Sequence, residues 1–233
     1  MSRPLETRPR PSSDWVQKRA MTYEEFLEWA DEDTLAEWVD GVVVMTSPAS
    51  LRHQEVMDFL KEVSSTYVKV HHLGKVVSPP FQMKLSRAGR EPDMLFIATE
   101  HLGRLKRTYL EGPADLVVEI ISPESEERDR SSKFYEYQDA GIPEYWLIDP
   151  ILEQASFYQL DAAGRYQQVA PDDLGIFRSR ALPGFWLRVD WLWKDPLPDP
   201  IQVLLEIDYD AYLQHFQEHL RRAEQQRGGT TSS

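Results

Sequence analysis

The chain has 233 residues and a mass of 27.1 kDa, and its 41% hydrophobic and 28% charged residues suit one sizeable globular domain with appendages. The sequence contains no cysteine, which excludes disulfides, thiolate metal sites and cysteine nucleophiles. No apolar run approaches the ~20 residues that span a bilayer. We therefore expect a cytoplasmic protein without a membrane partner.

The net charge of −13 argues at face value against a nucleic-acid partner. The acidic residues are unevenly distributed, however. Residues 21–40 carry eight of them and no lysine or arginine, whereas residues 101–110 carry Arg104, Lys106 and Arg107 without an acid. A locally basic surface is therefore compatible with the overall acidity, and nucleic acid remains a candidate partner.

The N-terminal part predicts a tail followed by a helix and a hairpin. Residues 1–20 contain prolines and basic residues but no apolar core, which predicts a disordered tail and not a signal peptide. Thr22 and Glu25 have the spacing of a capping box that opens a short helix. The pair Asp40-Gly41 lies between apolar runs and indicates a two-residue hairpin turn.

The middle of the chain predicts an α/β core. Apolar residues between Ser50 and Val70 recur at helical spacing and predict a long amphipathic helix. After it, apolar runs predict strands, and a second helix ends at Gly141. The predicted strands cover residues 75–85, 92–98, 114–121 and 144–149, and the second helix covers residues 131–140. This α-β-β-β-α-β order predicts a mixed sheet with helices on its faces.

The C-terminal part predicts smaller additions to this core. Residues 155–169 have the pattern of an exposed hairpin. Pro196, Pro198 and Pro200 predict a stiff linker, and residues 201–226 a C-terminal helix before a loose tail. We therefore expect one domain over residues 21–192, with the linker, helix and tail in residues 193–233.

Two acidic residues and a lysine lie where packing alone would not place them. Glu119 interrupts an apolar strand, where an unpaired carboxylate would cost several kcal/mol. Asp93 stands at the start of the preceding strand, and Lys133 begins the next helix. If the strands pair, both carboxylates can bind one Mg²⁺ or Mn²⁺ ion, while the lysine holds water or phosphate. The alternative is structural, with Asp93 in a turn and Glu119 paired with an arginine.

Five segments carry a resemblance to a known family. They are "AEWVDGVVVM", "SLRHQEV", "EPDMLFI", "GPADLVVEIISPES" and "RDRSSKFYEYQDAGIPEYWLIDP". Together they resemble the Uma-type family, described as putative restriction endonucleases of the PD-(D/E)XK nuclease superfamily, over roughly residues 22–190. The resemblance implies a restriction-endonuclease-like mixed β-sheet flanked by helices.

The resemblance also assigns roles to residues of this chain. It implies that Asp93 and Glu119 are the two acidic residues of the motif and would bind the metal. The position of the motif lysine is Ile121 here, so the resemblance implies that Lys133 supplies the amine from the following helix.

Four further residues are secondary candidates. Glu37 matches a glutamate of the family and could be a metal ligand, or it could be a solvated charge at a helix end. His53 and Gln54 begin the long helix and could reach a phosphate or water, or they could lie on the surface or cap the helix. Asp129 could orient Lys133, although the arginines on either side of it are equally good partners.

The function predicted from these residues and the resemblance is a Mg²⁺-dependent or Mn²⁺-dependent endonuclease that hydrolyses DNA phosphodiester bonds. One alternative is a nuclease-like fold that binds a partner or nucleic acid without cutting. The other is a metal-dependent phosphohydrolase acting on small substrates, which the net acidity would suit. Cutting both DNA strands would favour a homodimer.

Overall fold

The structure is a computed structural model that describes residues 20–30, 36–45, 49–122 and 131–229, and side chains as far as residue 225. The helices in these segments are α1 (Tyr23–Trp29), α2 (Leu51–Val70), α3 (Lys133–Asp139), α4 (Pro200–Ile207) and α5 (Tyr209–Gly229). The strands are β1 (Ala36–Val39), β2 (Val42–Met45), β3 (Gly74–Val77), β4 (Gln82–Lys84), β5 (Ala88–Arg90), β6 (Met94–Ala98), β7 (Tyr109–Glu111), β8 (Leu116–Ile120), β9 (Glu144–Asp149), β10 (Gln154–Leu160), β11 (Tyr166–Val169), β12 (Ile176–Arg178) and β13 (Trp186–Arg188).

A six-stranded mixed sheet, in the order β11-β10-β9-β8-β6-β3, forms the centre of the molecule. Strand β8 runs parallel to β9 and antiparallel to β6. Its side chains alternate between two cores, because Val118 packs with α2 while Val117 packs with Tyr137 of α3. The predicted mixed sheet flanked by helices is confirmed.

A second sheet, in the order β2-β1-β5-β4-β7, lies beside the first. The single strand predicted over residues 75–85 is wrong, since this segment forms β3 and β4, which belong to different sheets. Pro79 and Pro80 separate the two strands, and proline cannot donate a hydrogen bond to a strand ladder. Strands β5 and β7 have three residues each, too few for an apolar pattern, and the sequence did not indicate them.

The local signals near the N-terminus are confirmed. Thr22 and Glu25 exchange the two hydrogen bonds of a capping box at the start of α1. Asp40 and Gly41 join β1 to β2 with φ angles of 48° and 85°, and two positive φ angles are what the tightest hairpin turns require. The predicted N-terminal tail lies outside the described residues except for Ala20, which pairs with Val42.

The C-terminal elements are more closely attached to the core than predicted. The hairpin β10-β11 extends the six-stranded sheet, and its Phe157 is fully buried, so the hairpin is not simply exposed. The single predicted C-terminal helix is two helices separated at Asp208, and Val203 and Leu204 of α4 join the core around α2. Within the described residues, no helix combines the length and apolar character needed to cross a membrane.

Candidate active site

Glu119 is buried in β8, on the sheet face that α3 covers, and α3 supplies its partners. The Tyr137 hydroxyl donates a hydrogen bond to Glu119 Oε1 at 2.6 Å, and Lys133 Nζ lies 3.0 Å from Oε2. Lys133 and Tyr137 are four residues apart on α3, so both project from one side of the helix. The buried carboxylate is thus compensated by a cation and a hydroxyl from one helix. Lys133 is itself only 5% exposed.

Asp93 lies at the same end of the sheet as Glu119. The pairing of Met94 with Val118, continued by one residue, places Asp93 opposite Glu119. Asp93 Oδ2 accepts a hydrogen bond from the Ile120 backbone N–H at 2.7 Å. The structure therefore brings the two predicted carboxylates to neighbouring ends of paired strands, and their role as metal ligands stays a prediction.

Glu37 extends this cluster from the second sheet. It lies in β1 and is 2% exposed, so the reading as a solvated charge at a helix end is wrong. Its Oε1 lies 3.4 Å from Lys133 Nζ, and its Oε2 accepts a hydrogen bond from Arg90 Nη1 at 2.9 Å. The Lys133 ammonium consequently lies between Glu119 and Glu37.

Arg90 is a buried guanidinium that the sequence analysis did not single out. Its Nε and Nη2 donate to the two carboxylate oxygens of Glu136 at 2.8 and 2.6 Å, while Nη1 binds Glu37. Burial disfavours the charge, but the hydrogen bond to Glu136 and the charge of Glu37 outweigh it and raise the pKa of Arg90. The result is a continuous chain of alternating charges: Glu119, Lys133, Glu37, Arg90 and Glu136.

Acidic side chains are prominent in and around this chain of charges. Among the described residues its ion pairs join three carboxylates to two cations, and Asp93 lies at the neighbouring strand end. Glu91 adjoins the cluster, and burial, followed by repulsion from Glu37, raises the pKa of Glu91 to about 7. Near neutral pH, Glu91 therefore changes charge readily.

Tyr137 remains a hydrogen-bond donor in this environment. Burial, and then the negative charge of Glu119, raise the pKa of Tyr137 well above its ordinary value. The neutral phenol is therefore favoured, and the Tyr137 hydroxyl keeps the proton that it donates to Glu119.

The secondary candidates are distributed unequally around the cluster. His53, in the first turn of α2, is 7% exposed, and its Nε2 lies 3.4 Å from Asp93 Oδ1. Gln54, the next residue, is exposed on α2. Asp129 lies outside the described residues. Glu136 and Tyr137 were not among the predicted site residues, although their spacing of three and four residues from Lys133 indicates one side of a helix.

The donor set fits a hard divalent cation. Asp93 and Glu119 offer carboxylate oxygens, the ligands that hard cations take, at neighbouring strand ends. In the described part of the chain, no group of three or more acidic or histidine side chains is arranged to bind a metal. The mode that fits is the one typical of Mg²⁺, with one or two carboxylates completed by water and a substrate phosphate.

Part of the predicted basic segment lies near this cluster. Arg107 and Thr108 line a cavity of about 290 Å³ together with Glu91. Lys106 and Arg107 are exposed, whereas Arg104 donates a hydrogen bond to the Pro113 carbonyl at 3.1 Å. Arg107 is therefore an exposed cationic residue on the wall of a cavity that Glu91 also lines.

Comparison with known proteins identifies the family of the chain and a solved structure with a similar fold. The family model "Uma2: Putative restriction endonuclease" matches residues 23–190. The structure is similar to the crystal structure of "a putative nuclease belonging to DUF820" from Anabaena variabilis, with a TM-score of 0.64 and 16% identity over 74% of this chain and 97% of that chain. At that identity the likeness concerns the fold. No curated protein matches the sequence. Since the family model covers well over half of the chain, the protein belongs to the Uma2 family of putative restriction endonucleases.

Proposed function

We propose that the protein is a divalent-metal-dependent endonuclease that hydrolyses phosphodiester bonds of DNA. One observation carries this proposal: the buried carboxylate of Glu119 contacts the Lys133 ammonium at 3.0 Å, with Asp93 at the neighbouring strand end. A structural ion pair needs no second carboxylate at that position, whereas a cation shared with a phosphate takes one or two carboxylates as ligands.

The residues of this chain would divide the work as follows. Asp93 and Glu119 would hold Mg²⁺ or Mn²⁺, which when bound activates water and neutralises charge on a phosphate. Lys133 would hold the attacking water or a phosphate oxygen through its ammonium hydrogens. Glu37, which lies 3.4 Å from the same ammonium, would keep it directed at the site. His53 would orient Asp93 from α2.

A polyanionic substrate is supported by the local arrangement of charge. The protein as a whole is acidic, which disfavours DNA, but exposed Lys106 and Arg107 lie together and Arg107 reaches the cavity beside Glu91. A cation bound at the cluster would further reduce the repulsion between the site and the DNA backbone. Binding should therefore depend on both the divalent ion and the ionic strength.

The experiment is a cleavage assay on supercoiled plasmid with Mg²⁺ or Mn²⁺, compared with chelator. We expect nicked or linear product only with a divalent ion, and a loss of at least ~100-fold in rate for Asp93→Asn. Asp173→Asn is the matched control, because it makes the same chemical change at an exposed loop position. Cleavage that survives chelator, or full activity of a folded Asp93→Asn protein, would overturn the proposal.

The same preparation separates the two alternative functions. Small phosphate mono- and diesters should be turned over much more slowly than DNA. Rapid metal-dependent turnover of these esters with intact plasmid would identify a small-molecule phosphohydrolase. Salt-dependent DNA binding without cleavage of any substrate would identify a binding protein with a nuclease fold.

A further inference from the structure

The C-terminal helix α5 carries an apolar stripe on its surface. Tyr209, Leu213, Phe216 and Leu220 are 58%, 38%, 61% and 50% exposed. Within the described side chains of α5, Tyr212 is buried in the core around α2, and none of residues 213–225 is buried. The helix is therefore anchored by its first turn and extends away from the core with apolar side chains in solvent. A continuous stripe of this kind marks an interaction surface.

The spacing of the stripe identifies the shape of its partner. Tyr209, Leu213, Phe216 and Leu220 are separated by four, three and four residues, and Ala223 continues the series. This alternation is the pattern of the apolar seam between two helices that wind around each other. The same spacing also serves a helix that lies in an apolar groove. A second copy of α5 is the helix of matching period that this chain itself supplies.

We propose that the stripe is the dimer interface of this protein, formed with α5 of a second copy in parallel orientation. Charges beside the seam favour that orientation. His219 lies on one edge of the stripe and Glu224 on the other. In a parallel pair, His219 faces the partner's Glu224, which is attractive when the histidine is protonated. In an antiparallel pair, Glu224 faces the partner's Asp210, and the two acids repel.

The exposed area of the four side chains in the stripe indicates the size of the interface that they can form. With ~150–250 Å² for a whole aromatic side chain, the exposed parts of the four side chains amount to ~400 Å² per protomer. A standard interface buries ~800 Å² per partner, so this seam supports a weak, reversible dimer. A parallel pair of α5 helices also places the two domains at the same end of the pair, where two sites can act on one DNA duplex.

The first test measures the association of the full chain by sedimentation equilibrium over micromolar to near-millimolar concentrations. The wild type should show a monomer–dimer equilibrium, and Leu213→Glu or Phe216→Glu should weaken it at least ~10-fold. Both side chains are exposed in the monomer, so circular dichroism of the variants should match the wild type. Gln214→Glu is the control, because it adds the same charge to an exposed position off the seam.

The second test uses the absence of cysteine to determine orientation. Ala223→Cys should form an intermolecular disulfide under mild oxidation, because a parallel seam brings the two copies of residue 223 together. Gln214→Cys should not. A cross-link at residue 214 and none at residue 223 would refute the parallel seam.

A wild type that stays monomeric throughout the concentration range, or one whose dimer is unaffected by Phe216→Glu, would overturn the proposal. If such a monomer dimerises only after deletion of residues 1–19, the stripe is covered by the chain's own N-terminal residues. That result would also overturn the dimer as a property of the intact protein.

Discussion

Two glutamates are buried in adjacent parallel strands of the central sheet, Glu119 in β8 and Glu144 in β9, and their surroundings differ in kind. Glu144 is fully buried and Glu119 is 3% exposed. Glu119 is held by a hydroxyl and an ammonium that both come from α3. Glu144 is held by neutral donors from three separate parts of the chain. The same residue type at similar depth therefore lies in two different environments.

The hydrogen bonds of Glu144 join the sheet to the segment that follows it. Its Oε1 accepts from Trp146 Nε1 and Ser179 Oγ, both at 2.7 Å. Its Oε2 accepts from the backbone N–H of Arg180 at 2.7 Å and of Ala181 at 3.2 Å, and from the Gln159 amide at 3.1 Å. Both oxygens are saturated by donors that belong to the fold. This carboxylate holds the turn before β13 against β9 and offers nothing to a ligand.

The environment of Glu119 differs because its cation belongs to a larger charged cluster. The ammonium of Lys133 is shared with Glu37. Burying such a charged network costs stability, and buried charged clusters are typical of functional sites. The two glutamates therefore differ in the kind of partner that holds them and not in the depth of burial.

The largest expected effect concerns Glu119→Gln. The amide removes the charge that would hold a hard cation, so we expect metal-dependent cleavage to fall by ~1000-fold or more. The fold should survive, since the Tyr137 hydroxyl can rotate to accept from the new amide while Lys133 keeps Glu37. Plasmid cleavage and thermal melts of both proteins measure the two effects. Full activity in the variant, or its unfolding, would remove the distinction between Glu119 and Glu144.

Arg90→Lys tests how the cluster is positioned. Lysine keeps the charge but cannot bind Glu136 through two parallel hydrogen bonds and Glu37 through a third. We expect cleavage to fall by ~10–100-fold, as for residues that orient catalytic groups. Because Arg90 is buried and away from solvent, the salt dependence of DNA binding should not change. A weaker salt dependence would mean that Arg90 contacts phosphate directly.

The sequence predicted the parts of this site that lie within single elements. Glu119 was conspicuous because it interrupts an apolar strand, and Lys133 because it begins the next helix. The contacts between Arg90, Glu37 and Glu136 join residues 53 and 46 positions apart, and no local pattern records such distances. Strand β5, which ends at Arg90, has only three residues and therefore no readable periodicity.

The fold shows the same division between local and distant information. The capping box at α1, the hairpin at Asp40 and Gly41, and the apolar strands β6, β8 and β9 were predictable, because each depends on neighbouring residues. The assignment of β3 and β4 to different sheets was not. It depends on which distant strand each one meets, β6 for the former and β5 and β7 for the latter.

Glu144→Gln should lower stability and leave cleavage unchanged, whereas Glu119→Gln should remove cleavage and leave the fold intact. The amide nitrogen must replace one oxygen, and it would then face either the Trp146 indole N–H or two backbone N–H groups, none of which can accept. We expect the free energy of unfolding to fall by ~2–3 kcal/mol. Chemical denaturation measures this loss. Cleavage per folded molecule should equal that of the wild type, and a specific loss of cleavage would indicate that Glu144 takes part in the chemistry.

The smallest expected effect is a pH dependence that comes from Glu91. Its pKa is raised in the folded protein from 4.5 to about 7, first by burial and then by Glu37, with a smaller contribution from Asp93. Between pH 4.5 and about pH 7, the folded protein binds a proton on the Glu91 carboxyl more tightly than the unfolded chain does. The stabilising contribution is therefore fully present below pH 4.5 and is lost as the pH rises through about 7. Allowing for the partial exposure of Glu91, we expect a loss of ~1–2 kcal/mol over this interval.

Glu91→Gln should remove that part of the pH dependence of the free energy of unfolding, and denaturation of both proteins between pH 5 and pH 8 measures the difference. If the free energies of unfolding of the two proteins change with pH in the same way, the neighbours of Glu91 do not disfavour its ionised form. A bound divalent ion should also flatten the wild-type curve, because a nearby cation favours the ionised carboxylate.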